Sequence, residues 1–120
     1  YRTALDLKPD SPLVRIALAQ SLLALRTPEA DREALALTRT AVQFEPYSIN
    51  GWRQLAIAEG RNGDIGLAAL ALAEMNWAAG NARDAIAQSK RATALLPVGS
   101  PGALRAEDIE TFALRELRRR

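Results

Sequence analysis

An all-α fold, made of antiparallel helix pairs stacked as a right-handed solenoid with a C-terminal capping helix, is what this 120-residue sequence predicts. Breakers recur at the spacing of helix pairs: Gly63 and Gly80 stand 17 residues apart, and Pro9, Pro46 and Pro97 follow at intervals of 37 and 51. In helical-repeat chains one helix with its turn takes about 17 residues and a pair about 34. Ala and Leu supply 42 of the 120 residues, so helix propensity is high throughout. Only 5% of residues are aromatic and the β-branched ones are scattered, so no segment competes as a strand. With 48% hydrophobic and 25% charged residues, residues 1–120 read as a single domain.

The elements follow in order. Tyr1 to Leu7 reads as a helical end stopping at Lys8-Pro9, because proline disfavours helical geometry in the residue before it, and the chain is expected to begin inside a repeat. Ser11-Pro12 is an N-cap followed by proline at the first helical position. The helix it opens sets Leu13, Ile16, Ala17, Gln20 and Ala24 on one side and Leu18, Leu22 and Leu25 on the other, ending near Arg26. Thr27-Pro28 repeats the signal for a second helix, which carries Ala34, Leu35, Leu37, Ala41, Val42 and Phe44 to the breaker Glu45-Pro46. Ser48 starts a third, with Trp52, Leu55, Ala56 and Ile57 at helical spacing. Asn62-Gly63-Asp64 ends it and caps a fourth, about Ile65 to Ala79, and Gly80-Asn81 separates a fifth, about Ala82 to Leu96. Residues 97–102 read as a loop and 103–118 as the terminal helix. Its early Glu107 and Asp108, and Arg118 to Arg120 at its end, suit the helix dipole.

The sequence has neither Cys nor His, which excludes the usual zinc sites, cysteine nucleophiles, histidine bases and Ser-His-Asp triads. Glu107, Asp108 and Glu110 fit a dipole-balancing first turn better than a catalytic carboxylate pair, so no enzyme activity and no cofactor are expected on this chain. The longest apolar stretches, such as Ile65 to Ala73, fall short of the roughly 18 residues a bilayer requires, so no membrane insertion is expected. Fourteen of sixteen basic residues are Arg, which raises nucleic-acid binding, but the net charge is +2 and acids interleave with the bases. A phosphate-tracking surface needs a segregated basic stripe, so nucleic acid is not the expected partner.

Trp52, Leu55, Ala56 and Glu59, followed by Ala68, Leu72 and Met75, fall at the spacing of the tetratricopeptide pattern, with departures at its Tyr position and at its final Pro, where Gly80 stands. An earlier unit reads Arg15, Leu18, Ala19 and Leu22, then three extra residues around Thr27 to Asp31, then Ala34, Thr38, Ala41 and Pro46. A third reads Ala69, Leu72, Ala73, Asn76, Ala85, Ser89, Ala92 and Pro97, reusing the helix that closes the second. The chain thus resembles a tetratricopeptide-repeat domain over nearly its whole length. Small residues at Ala19, Ala34, Ala56, Ala68, Ala73 and Ala85 are where such helices approach closely.

A narrower resemblance lies in the second half. Trp52-Arg53-Gln54-Leu55-Ala56, Gly63-Asp64, the run Leu67 to Glu74, Gly80, Leu96-Pro97 and the run Gly99 to Ile109 look like the C-terminal repeat region of bacterial periplasmic M48-family zinc metalloproteases, with Ala103 at the place of a usual Trp. The resemblance implies a periplasmic location and a zinc endopeptidase parent whose HExxH helix lies upstream, zinc belonging to that domain alone. This chain would be its non-catalytic repeat domain, acting in envelope quality control by presenting substrates or partners. The alternative is a tetratricopeptide adaptor or assembly scaffold unconnected to a protease.

The repeat resemblance also selects a concave face, formed by Gln20, Asn50, Arg53, Ile57, Arg61, Glu74 and Trp77, as the groove for a protein or peptide partner or for the chain's own protease domain. Asn50, Arg53 and Arg61 share a helical face where planar guanidinium forks suit a carboxylate or peptide backbone. Trp52 stands at the large-residue core position, whereas Trp77 is as well suited to the groove as to the core.

Overall fold

The computed structural model describes residues 11–119. The expected helical end at Tyr1 to Leu7, and Arg120, lie outside the described residues. Six helices make up the rest: α1 Pro12–Leu25, α2 Pro28–Phe44, α3 Ile49–Arg61, α4 Ile65–Ala78, α5 Ala82–Leu95 and α6 Pro101–Arg118. There is no strand among the described residues.

Local chemistry sets the boundaries. Ser11, Thr27, Ser48 and Asp64 each accept a hydrogen bond from the backbone N–H three residues on, at 2.9 to 3.4 Å, satisfying a donor the helix cannot. Gly63 and Gly80 turn the chain between α3 and α4 and between α4 and α5 with φ of 86° and 78°, which a side chain would disfavour. One boundary departs from expectation. The terminal helix begins at Pro101, not Ala103, because Ser100 caps it by accepting from Ala103 N at 3.2 Å and Pro101 takes the first helical position. Ser100-Pro101 is thus a third copy of the signal that opens α1 and α2.

Short connections turn each helix back on its predecessor, and every helix packs on its neighbour in sequence. Two further contacts join α1 to α3 and α4 to α6, whereas α3 and α5 do not meet. A uniform array of pairs would repeat the odd-numbered contact along its length. Here the row that touches across a pair passes from α1 and α3 to α4 and α6, and α4 is where it changes.

The core follows the same division. Leu18, Leu22, Leu23, Leu35, Leu37, Val42 and Leu55 fill the first half, and α4 adds Ala71. The second half is built on alanine: Ala73, Ala82, Ala85 and Ala113 surround the fully buried Ile109, and Ala69, Ala92 and Ala106 form an adjoining contact. Because α4 faces both halves, its sequence Ile65–Ala78 is apolar on nearly every side rather than amphipathic, with Glu74 and Asn76 its two polar side chains. Ala19, Ala34, Ala56, Ala73 and Ala85 are buried as the repeat spacing implies, but Ala68 is only half-buried, and the inaccessible residue is Ala69. The helix is turned by one residue because it must present Ala69 to α5 and α6 as well as Ala71 to the first half. Trp52 packs half-buried against the first cluster and donates its indole N–H to Pro46 O at 2.7 Å, tying α3 to the turn before it.

Candidate functional site

Two buried carboxylates stand on the consecutive helices α3 and α4. Glu59 accepts from Arg39 of α2 at 3.0 and 2.8 Å, and Glu74 accepts from Arg105 of α6 at 2.9 and 2.8 Å. Both pairs are two-pronged, with the planar guanidinium fork matching both carboxylate oxygens. In each the acid is the buried partner, with the Glu59 and Glu74 side chains 4% and 10% exposed, while the arginine keeps one edge in solvent. Hydrogen bonding to Glu59 raises Arg39 above the ordinary guanidinium value, and bonding to Glu74 does the same for Arg105, against desolvation that lowers both.

Around the second pair lies a cleft of about 480 Å³, lined by Pro46, Tyr47, Glu74, Trp77, Arg105 and Phe112. Tyr47, Trp77 and Phe112 are three of the five aromatic side chains among the described residues, and they meet in this one cleft. Trp77 and Phe112 pack with ring centroids 6.2 Å apart at a 32° tilt. Tyr47 is 84% exposed on the turn between α2 and α3. The same two rings also line a second recess of about 250 Å³ with Arg115 and Glu116 of α6 and its C-cap residue Arg119.

The seven sequence-selected residues fall into separate groups. Glu74 and Trp77 come together in the aromatic cleft. Gln20 and Asn50 meet across α1 and α3, where Asn50 Nδ2 donates to Gln20 Oε1 at 3.4 Å and its Oδ1 accepts from the buried Gln54 at 3.0 Å. Arg61 joins three helices, donating to the α1 carbonyl of Leu23 at 2.6 Å and to Asp31 of α2 at 2.9 Å, beside a crevice of about 210 Å³. That carbonyl lies at the end of α1, where it also accepts the backbone N–H of Arg26 at 3.3 Å. Arg53 and Ile57 are exposed one turn apart on α3. Trp77 is half-buried, its ring belonging both to the second core cluster and to the cleft wall.

Sequence reasoning did not select Tyr47, Arg105 or Phe112. Tyr47 follows a breaker and reads as a turn, and Arg105 lies 31 residues from the acid it holds, too far for any helical spacing to link them. Phe112 carried a detectable signal, falling seven residues after Arg105 and so on the same face of α6.

Among the described residues no group of three or more acidic side chains could hold a metal ion, and no helix is long and apolar enough to cross a membrane. Comparison with protein-family models, with curated proteins and with solved structures finds no match for this chain.

Proposed function

We propose that this chain is a non-catalytic protein-interaction module of tetratricopeptide type, and that its docking site is the cleft between α4, α6 and the turn before α3. One observation carries the reading: an exposed Tyr, a half-buried Trp and a Phe line one cleft beside a guanidinium held in place by Glu74. Tyr, Trp and Arg are the residue types in which interfaces concentrate their binding energy. The floor is preorganised, because the two-pronged pair fixes Arg105 before anything docks, and a fixed group loses little entropy on binding. A side chain or short extended segment is the size of object that such a cleft accommodates.

The right-handed stack of pairs and the M48-type parent are parts of the same proposal, supported by the order and spacing of the sequence runs from Trp52 to Ile109. In such a parent the cleft would receive substrate segments or the surface of the catalytic domain. The role as an adaptor unconnected to a protease uses the same cleft.

The test is selection of a displayed random-peptide library on the immobilised chain, with binding of the enriched peptides compared on the Tyr47→Ala variant. Tyr47 is so exposed that its removal leaves the core intact. Enriched peptides should lose at least about 2 kcal/mol of affinity on the variant, the size of an interface hot spot. Enriched peptides that bind both chains equally would place docking elsewhere.

A further inference from the structure

We infer that the segment taken by this cleft is acidic, an extended peptide that sets an apolar side chain against Trp77 and Phe112 and a carboxylate against Arg115 and Arg119. The inference rests on the docking reading above and names the class of its ligand. The cleft and the neighbouring recess share the Trp77 and Phe112 rings, so a chain crossing that wall meets both. Among the described residues that line the cleft Glu74 is the only carboxylate, and both its oxygens are occupied by Arg105, whose charge also feels Asp108 one turn along α6.

On the recess side the balance is positive. Arg115 in the last turn of α6 and Arg119 at its C-cap are four residues apart, a spacing at which like charges repel, and Arg118 adds a third cation to the last turn. The Arg119 to Glu116 contact is 3.9 Å long and exposed, too weak to neutralise the pair, and Arg115 has no ion pair or side-chain hydrogen bond among the described residues. The wall therefore offers donors in excess of acceptors: the open edge of Arg105, the Trp77 indole, the Tyr47 hydroxyl and two forks that match carboxylate geometry. A proline-rich segment would use the rings and leave both arginines idle. A nucleic acid strand would need the basic surface to continue along its backbone, whereas these cations are confined to one helix end beside Glu116.

The experiment measures fluorescence anisotropy of three dye-labelled probes on the full chain at low salt: a short peptide of alternating Glu and Phe, its Gln and Phe counterpart, and an oligothymidylate. The Glu probe should bind about tenfold or more tightly than the Gln probe, since hydrogen bonds to charged groups add that much. That preference should fade in high salt and in the double variant Arg115→Gln, Arg119→Gln, while binding of the Gln probe stays as it was. Both arginines are exposed, and circular dichroism on the double variant checks that the helices persist. Equal binding of the two peptides, with both lost on Tyr47→Ala, overturns the acidic class and leaves the docking site standing. Binding that Tyr47→Ala does not affect overturns both. Oligothymidylate binding tighter than the Glu probe, and lost with the two arginines, overturns the peptide class in favour of nucleic acid.

Discussion

Glu74 accepts two hydrogen bonds from Arg105, at 2.8 and 2.9 Å, and so fastens the helix at the centre of the fold to the helix that ends it. Removing the arginine leaves a carboxylate that is one-tenth exposed without its partner. Arg105→Ala should therefore destabilise the chain by about 1–3 kcal/mol, in the lower half of that range because the guanidinium is 43% exposed. Arg105→Lys should recover only part of the loss, since an ammonium cannot meet both oxygens as a planar fork does. Replacing both partners by Leu should lie closer to the parent than Arg105→Ala does, because no buried charge is then stranded. Urea midpoints for the three variants check the order. A single alanine variant as stable as the parent would mean that water reaches the acid.

Two helical glycines should respond to alanine with opposite signs. At Gly60 nothing lies within 4 Å of an added Cβ, so Gly60→Ala should gain about 0.5–1 kcal/mol from helix propensity. At Gly66 the added carbon would stand 2.8 Å from Leu96 Cδ2 and 3.0 Å from its Cγ, with Leu95 Cβ at 3.3 Å. Crowding of that kind costs about 1–3 kcal/mol and outweighs the propensity gain. Thermal melts should move up for Gly60→Ala and down for Gly66→Ala. Equal upward shifts would show that Leu96 gives way freely.

The two alanines at the centre of α4 differ in the same manner. Ala69 is inaccessible between α4, α5 and α6, so Ala69→Leu should cost about 1–3 kcal/mol. Ala68 is half-buried, and Ala68→Leu should cost clearly less. Matching melting temperatures for the two variants would contradict the rotation of α4 described above.

Most of the helix plan was legible because its signals are local. Ser11-Pro12, Thr27-Pro28, Ser48 and Asp64 act through atoms three residues away, and the turn glycines act on their own backbone. The start of α6 was misjudged by two residues although Ser100-Pro101 carries that same local signal, because the surrounding Pro97, Gly99 and Gly102 read as loop. What the sequence could not disclose depends on pairing between distant helices. Neither the change of the touching row at α4, nor the choice of Ala69 over Ala68, nor the meeting of Arg105 with Glu74 leaves a periodic trace in one chain. Of the expected groove, Glu74 and Trp77 lie in the cleft, while Tyr47 comes from a turn and Arg105 and Phe112 from the terminal helix, which the repeat spacing does not assign to the concave face.

The last prediction separates the cleft from the exposed stripe on α3. Arg53 and Ile57 project from α3 without a role in either core cluster, and Tyr47 projects from the turn into the cleft mouth. Arg53→Ala and Tyr47→Ala should both leave helical content and melting temperature close to the parent, since each removes an exposed side chain. Affinity for a peptide selected on the parent chain should fall by at least about 2 kcal/mol for Tyr47→Ala and change by less than about 1 kcal/mol for Arg53→Ala. Trp77 needs a milder replacement, because its ring also packs in the second core cluster: Trp77→Phe keeps an aromatic against Phe112 while removing the indole N–H from the wall. That variant should weaken the same peptide at unchanged helical content. The reverse pattern, with Arg53→Ala carrying the loss and Tyr47→Ala and Trp77→Phe silent, would move the docking site to the α3 face that Asn50, Arg53 and Ile57 share.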